Sequence, residues 1–227
     1  MAKISKKNNL TKNVREIQLS MDYPLEFKAG QFLMFKVPTP TGFVERAYSI
    51  ASPPTQNQSL LFCYKALDGG VSTQFLDQAP HGTQIELRGP LGQFTIDDSL
   101  EPLILVATGT GMAPYRSMLL EYLDERRGQR EIHLIFGVRS IQDIFWRDFL
   151  DGLAVAHKNF SYEITLSAPD ESWSGLCGRV TDHLLPEIKR GIKTFYLCGS
   201  SAMVKDVRAK LINVGVAPTN IHFEIFS

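Results

Sequence analysis

Residues 103–114 read Leu-Ile-Leu-Val-Ala-Thr-Gly-Thr-Gly-Met-Ala-Pro, an apolar run that passes straight into Gly-Thr-Gly and then into the start of a helix. A strand, a glycine turn and a helix N-terminus in that order can bind phosphate. Gly109 and Gly111 lack a Cβ, so the backbone turns tightly and can approach a ligand, while the unpaired N–H groups of the following helix face an anion. A full dinucleotide fingerprint carries a third glycine where this chain has Pro114. Taken alone, the stretch reads equally well as a plain strand-to-helix corner, and the rest of the chain has to decide.

On the carboxyl side of this turn, apolar strands alternate with amphipathic helices. Strands are expected at Leu103 to Ala107, Ile132 to Phe136, Phe160 to Leu166, Thr194 to Cys198 and Ile221 to Ile225. Helices are expected at about Met112 to Arg127, Gln142 to Leu150, Gly178 to Leu185 and Ala202 to Val214. This βαβ rhythm implies a mostly parallel sheet. On the amino side, short β-rich runs (Val14 to Leu19, Phe32 to Val37, Phe43 to Ile50, Leu60 to Ala66, Gln84 to Arg88) alternate with Gly- and Pro-containing turns. Such punctuation suggests a barrel or sandwich. The boundary is expected near Asp97 to Pro102, giving domains 1–98 and 99–227. A crevice at the carboxyl ends of the parallel strands would then hold ligands.

Composition narrows the function. The 227 residues are 44% hydrophobic, and 24 basic side chains balance 24 acidic ones, so no net field favours nucleic acid or an anionic membrane. Cys63, Cys177 and Cys198 are far apart and form no C-x-x-C pair, and the five histidines show no ligand spacing, so no metal is expected. The polar N-terminus has no apolar signal core, and no apolar run reaches the roughly 18 residues of a membrane helix. A soluble cytoplasmic protein is expected.

Two further stretches carry chemistry. Arg46-Ala47-Tyr48-Ser49 combines a fixed cation, a flat ring and a hydroxyl. Arg46 can bond a phosphate, Tyr48 can lie against a planar ring system, and Ser49 can donate to a ring nitrogen. The plainer alternative is an ordinary strand with a surface arginine. Asp68-Gly69-Gly70-Val71-Ser72-Thr73 is a glycine turn before a short helix over Val71 to Asp77, a second anion cradle or else a simple hairpin loop.

Together these residues resemble the ferredoxin-NADP reductase superfamily of flavoproteins, over roughly Lys12 to Ser227. Arg46-Ala47-Tyr48-Ser49 is similar to the Arg-x-Tyr-Ser flavin signature, and Gly70-Val71-Ser72 to the flavin pyrophosphate loop. Gly89-Pro90-Leu91-Gly92 resembles the turn before the second domain. Leu103 to Pro114 resembles the nicotinamide pyrophosphate loop, where a proline at the Pro114 position is usual. Phe136-Gly137-Val138-Arg139, Tyr196-Leu197-Cys198-Gly199-Ser200 and Glu224-Ile225-Phe226 follow in the family's order.

The resemblance implies a β-barrel FAD-binding domain, then an α/β domain binding NADH or NADPH, with hydride passing from nicotinamide C4 to flavin N5. It implies flavin contacts from Arg46, Ala47, Tyr48, Ser49, Gly70, Val71, Ser72, Thr73 and Phe226. Thr108, Gly109, Thr110, Gly111, Arg139 and Gly199 would bind the nicotinamide dinucleotide. Ser49, Cys198 and Glu224 would border the reacting rings, although Cys198 reads equally as a packing residue at a strand end. The pattern departs at the terminus, with Phe226 in place of tyrosine and Ser227 beyond it. Ser167-Ala168-Pro169-Asp170 lacks the Ser-Arg of many NADPH-using relatives and favours NADH.

The acceptor is expected to be a small electron carrier such as a ferredoxin or flavodoxin, or an oxygenase component. Alternatives are a reductase of free flavin or another small acceptor, and a flavin-binding subunit without turnover of its own. Arg126, Arg127 and Arg130 end a helix, where they complement its dipole or form a docking patch for an acidic carrier.

Overall fold

A computed structural model describes residues 2–67 and 69–226; Asp68 of the first glycine turn and Ser227 beyond the terminal aromatic lie outside the described residues. Two units form, one from residues 2–96 with 113–126 and one from 97–112 with 127–226.

The first unit is an antiparallel sheet of β1 (Ala2–Asn9), β2 (Val14–Met21), β3 (Phe32–Thr39), β4 (Gly42–Ser49), β5 (Ser59–Lys65) and β6 (Gln84–Leu91), in the order β4-β3-β6-β1-β2-β5. The end strands β4 and β5 are also in contact, which curls the sheet into the expected barrel. Alternation builds its interior: Leu33, Phe35 and Val37 of β3 point inward onto Ile17, Leu19, Leu60, Phe62 and Ile85. Strand β1 was not expected. Only Ala2 and Ile4 of its eight residues are buried apolar side chains, yet it runs between β6 and β2 in the middle of the sheet. Helix α1 (Val71–Gln78) follows β5, and the Lys7 ammonium of β1 closes its far end by donating to the carbonyls of Leu76, Asp77 and Ala79. Of Gly89-Pro90-Leu91-Gly92, read as a turn, the first three residues close strand β6 and Gly92 follows it with a φ of 98°.

The expected helix from Met112 to Arg127 is α2 (Met112–Leu119) continued by a π-helical segment, Leu120–Glu125. Residues 113–126 pack with the first unit. Arg130 departs from the reading of a basic docking patch. It is 1% exposed, its Nη1 bonds Asp97 Oδ1 at 2.7 Å and its Nε donates to the Glu101 carbonyl, so it serves the interior.

The second unit is a fully parallel sheet of β7 (Leu103–Thr108), β8 (Ile132–Val138), β9 (Phe160–Leu166), β10 (Leu176–Cys177), β11 (Thr194–Ser200) and β12 (Ile221–Phe226), ordered β10-β9-β8-β7-β11-β12. Strands β7, β8 and β11 are buried along almost their whole length and read as continuous apolar runs for that reason. Ile104, Val106, Phe195 and Leu197 pack with Val204, Val207 and Leu211 of α5 (Ser201–Asn213). Two helices are displaced from their expected places. The region expected to be helical from Gln142 makes a single 3₁₀ turn, Ile141–Asp143, closed by a Ser140–Asp143 capping box. Trp146 then adopts a left-handed φ of 54°, and α3 (Arg147–Ala156) begins after it. The region near Gly178 to Leu185 is a 3₁₀ turn, Val180–His183, followed by the short α4 (Leu185–Lys189), whose start is set by Pro186.

Candidate functional site

Because every strand of the second unit runs the same way, the carboxyl ends of β7, β8, β9, β11 and β12 share one edge of the sheet. The chain leaves β7 toward β10 on one side and returns to β11 on the other, so strand order reverses between β7 and β11. That is the switch point at which open α/β sheets bind ligands. Thr108 and the 3₁₀ turn Gly109–Gly111 lie there, next to Gly199 and Ser200. The two strand ends are in close contact. A Cβ on Gly111 would fall 2.3 Å from the Cys198 carbonyl oxygen, and one on Gly199 would fall 2.1 Å from Thr108 Oγ1. Only glycine permits this approach at either position. Thr108 Oγ1 also accepts the Ser200 N–H at 3.4 Å, and Ser200 Oγ caps α5 by accepting the Met203 N–H.

Register brings the last predicted residues into line. Cys198 pairs with Glu224 and Ser200 with Phe226, while Tyr196 pairs with His222 one step back. Alternation places Tyr196 and Cys198 on one face with His222, Glu224 and Phe226. Cys198 is fully buried; Glu224 and Phe226 are half-buried. The His222 ring stacks on Tyr196, centroids 4.4 Å apart, and burial holds its imidazole below its ordinary pKa. Arg139 is exposed one residue beyond β8, and its carbonyl accepts the Ala168 N–H at 2.8 Å, joining it to the loop after β9. In that loop Asp170 Oδ1 accepts from the Ser172 N–H and hydroxyl, which holds the carboxyl below its usual pKa.

In the first unit, Arg46, Ala47, Tyr48 and Ser49 end strand β4, opposite Phe35, Met34, Leu33 and Phe32 of β3. Arg46 and Ala47 are exposed, Tyr48 is half-buried and Ser49 buried, a gradient that carries the motif from solvent into the barrel. The carboxylate of neighbouring Glu45 is engaged by Arg88, at 2.8 Å. The Tyr48 ring packs at 4.7 Å from Phe35 and 6.0 Å from Tyr64, and burial pushes its phenol up to about 12. Tyr64 in turn donates to Asp77 of α1 at 2.7 Å.

The start of α1 separates two hydroxyls that look alike in sequence. Thr73 Oγ1 lies 3.0 Å from the Gly70 carbonyl and accepts the Leu67 N–H at 3.3 Å, so it holds the loop together. Ser72 is 6% exposed and its Oγ has no hydrogen-bond partner among the described residues. Gly70 stands at the N-cap and supplies no side-chain cap. A helix N-terminus with an orphaned buried hydroxyl is complementary to phosphate oxygens. The first unit therefore fits the pyrophosphate of a flavin dinucleotide, and the Gly109–Gly111 turn fits that of a nicotinamide dinucleotide. Among the described residues no group of His, Cys, Asp and Glu could hold a metal ion.

Arg116 and Ser117 were not singled out in the sequence, although they bond the segment just beyond β4. Their signal was two polar residues inside an otherwise apolar helix start, Met112 to Leu119.

A barrel with a flavin-type cradle and a parallel sheet with a nicotinamide-type cradle define an NAD(P)H-dependent flavoprotein oxidoreductase. The family profile Oxidoreductase FAD-binding domain matches residues 1–96, and Oxidoreductase NAD-binding domain matches 105–209. Ferredoxin-NADP reductase B of Sorangium cellulosum is 38% identical over 87% of this chain and 84% of its own length. The toluate 1,2-dioxygenase electron transfer component of Pseudomonas putida is 35% identical over 89% of this chain, which spans 60% of that protein. The crystal structure of the Amycolatopsis cytochrome P450 reductase GcoB superposes with a TM-score of 0.91 at 28% identity, over 99% of this chain and 68% of that one. This chain belongs to the ferredoxin-NADP reductase superfamily, with FAD and a nicotinamide dinucleotide as its cofactors.

Proposed function

We propose that this chain takes hydride from a nicotinamide dinucleotide onto its FAD and passes the electrons to a separate redox protein: a ferredoxin, a flavodoxin or an oxygenase component. The carrying observation is the orphaned Ser72 hydroxyl at the start of α1, a buried donor that suits a phosphate. The Sorangium relative is named as a ferredoxin reductase and the Pseudomonas relative as an electron transfer component, which supports a protein acceptor. Residues 1–98 are assigned to FAD binding and 99–227 to nicotinamide binding. The three cysteines are free, in keeping with a reducing cytoplasm.

In this reading, FAD supplies a ring that accepts hydride at N5 and releases electrons singly. The protein's part is placement. Arg46, the Ser72 hydroxyl and the N–H groups of Val71 and Ser72 hold the flavin's phosphates, while the Gly70 N–H, bonded to the Leu67 carbonyl at 3.0 Å, and Thr73 brace their loop. Ala47 and Tyr48 lie along the ring, and burial moves the Tyr48 phenol pKa further above neutrality, to about 12. Ser49 donates a hydrogen bond near N5. In the second unit, Thr108, Gly109, Thr110, Gly111 and Gly199 cradle the nicotinamide dinucleotide's pyrophosphate, and Arg139 stands toward its adenosine end. Cys198 and Glu224, paired across β11 and β12, border the nicotinamide, with Phe226 two residues further along the same face of β12.

The coenzyme is read as NADH. The loop after β9 offers the anchored Asp170 carboxylate, suited to a free ribose 2′-hydroxyl and repulsive to a 2′-phosphate. Anaerobic titration of the yellow protein with each nicotinamide, then with a panel of acceptors, tests the whole reading. Stoichiometric bleaching is expected, with kcat/KM for NADH at least about tenfold above that for NADPH. A flavin that neither nicotinamide bleaches refutes the function, and the reverse ratio refutes the coenzyme.

A further inference from the structure

Helix α2 carries two polar side chains on a surface that is otherwise apolar. Ser117 is fully buried and its Oγ donates to the Ser52 carbonyl at 2.7 Å. Half-buried Arg116 donates from Nη1 to the Ala51 carbonyl at 2.8 Å. At the end of the π-helical segment, the Glu125 carboxylate meets the Thr55 hydroxyl. The helix thus grips residues 51, 52 and 55 in turn. The same segment is also tied to the barrel. Ile50 N–H bonds the Gln31 carbonyl at 3.0 Å, Ala51 N–H bonds the Leu61 carbonyl at 2.7 Å, and Ser52 Oγ accepts the Leu61 N–H at 3.1 Å. Ala51 and Ser52 are both fully buried and stand two and three residues beyond Ser49.

Stability alone does not call for these side chains. Burial disfavours the Arg116 charge, and desolvation holds its pKa below the usual guanidinium range. A methionine of similar length would fill the same space without that cost, since buried ionic groups are often replaceable by apolar ones. A directed hydrogen bond adds what packing does not, a defined place for a backbone carbonyl. We propose that Arg116 and Ser117 are positioning residues that fix the Ala51 and Ser52 carbonyls and thereby set Tyr48 and Ser49 against the flavin ring. The inference rests on the flavin-side reading of β4 given above. Hydride transfer requires near-contact geometry, and a misplacement of about 1 Å can cost about a hundredfold in rate, so the last residues of β4 need such anchorage.

The test uses the full-length protein with Arg116→Met, Arg116→Lys and Ser117→Ala. FAD affinity is read by fluorescence quenching on the apoprotein, and ring placement by the visible circular dichroism of the bound flavin. Anaerobic reduction by NADH is resolved into a limiting rate and a half-saturating concentration. Arg116→Met should alter the dichroism, weaken FAD about three- to tenfold and lower the limiting rate about tenfold or more, with half-saturation within about twofold. Arg116→Lys, which still donates to Ala51, should recover most of the rate. A merely structural role would lower the melting temperature and leave the dichroism and limiting rate of the folded enzyme untouched. Should Arg116→Met not fold, Ser117→Ala decides by the same readouts. Wild-type dichroism and FAD affinity in Ser117→Ala and in any folded Arg116 variant overturn the proposal. If no nicotinamide reduces even the wild type, the functional reading falls, while FAD affinity and dichroism still judge the positioning claim.

Discussion

Replacing Ser72 by alanine should act in opposite directions on the empty and the loaded protein. The Ser72 hydroxyl is buried and unpartnered at the start of α1. In the apoprotein it carries the penalty of an unsatisfied polar group, about 1–3 kcal/mol. Alanine removes that penalty and is the better helix former, so apoprotein Ser72→Ala should melt a few degrees higher, at about 2–4 °C per kcal/mol for a chain of this size. With FAD bound, the same hydroxyl gives a hydrogen bond to a charged phosphate, about 1.5–3 kcal/mol. Losing it should weaken FAD by about ten- to 150-fold, since about 1.4 kcal/mol is tenfold in Kd. Thr73→Val is the control. It deletes a hydroxyl bonded to Gly70 and Leu67, so apoprotein stability and FAD affinity should fall together. Fluorescence titration and thermal melting of both apoproteins give the four numbers. Unchanged FAD affinity in Ser72→Ala, or a lowered apoprotein melting temperature, refutes the assignment of this hydroxyl to phosphate.

Gly111→Ala sets a Cβ 2.3 Å from the Cys198 carbonyl oxygen and must push the turn off the end of β11. The half-saturating NADH concentration should rise about tenfold or more while FAD stays bound, and wild-type NADH saturation would contradict the switch-point site. Ser49→Ala should bleach more slowly with NADH and keep its flavin; an unaltered reduction rate removes Ser49 from the mechanism. His222 is held below its ordinary value of 6.5 mainly by burial, with Arg130 acting in the same sense and Asp97 against it. Below 6.5 the unfolded chain binds more protons than the folded one, so this contribution is complete above 6.5 and is lost as pH falls through the folded value. His222→Gln should flatten the fall in melting temperature on the acid side of 6.5, and a profile superimposable on the wild type would sink the attribution.

Much of the second unit was legible in the residues because its strands are buried on both faces. Leu103 to Ala107 and Thr194 to Cys198 could only be interior strands, and periodicity located them within two residues. Local chemistry likewise marked the glycine turn, the Arg46 to Ser49 motif and the helix after Gly70, since turn and cap residues act within a few positions of themselves. Four things depended on the folded chain. Strand β1 looks polar in isolation and is a central strand only because β2 and β6 flank it. Ser72 and Thr73 are neighbours of similar type, and only the fold spends one hydroxyl on its own loop and leaves the other buried and unpartnered. Arg130 reads as a helix-end cation until Asp97 and Glu101 enclose it. Cys198 faces Glu224 through a parallel register between segments 26 residues apart, which a hydrophobic pattern with a period of two does not encode. Composition, periodicity and turn chemistry therefore determined the two-part architecture and marked two candidate anion cradles, and the resemblance of the motifs to the flavoprotein family implied the cofactor classes. Long-range pairing decided which arginine and which strand edge the chemistry can use, and the folded geometry of the loop before α1 decided which hydroxyl.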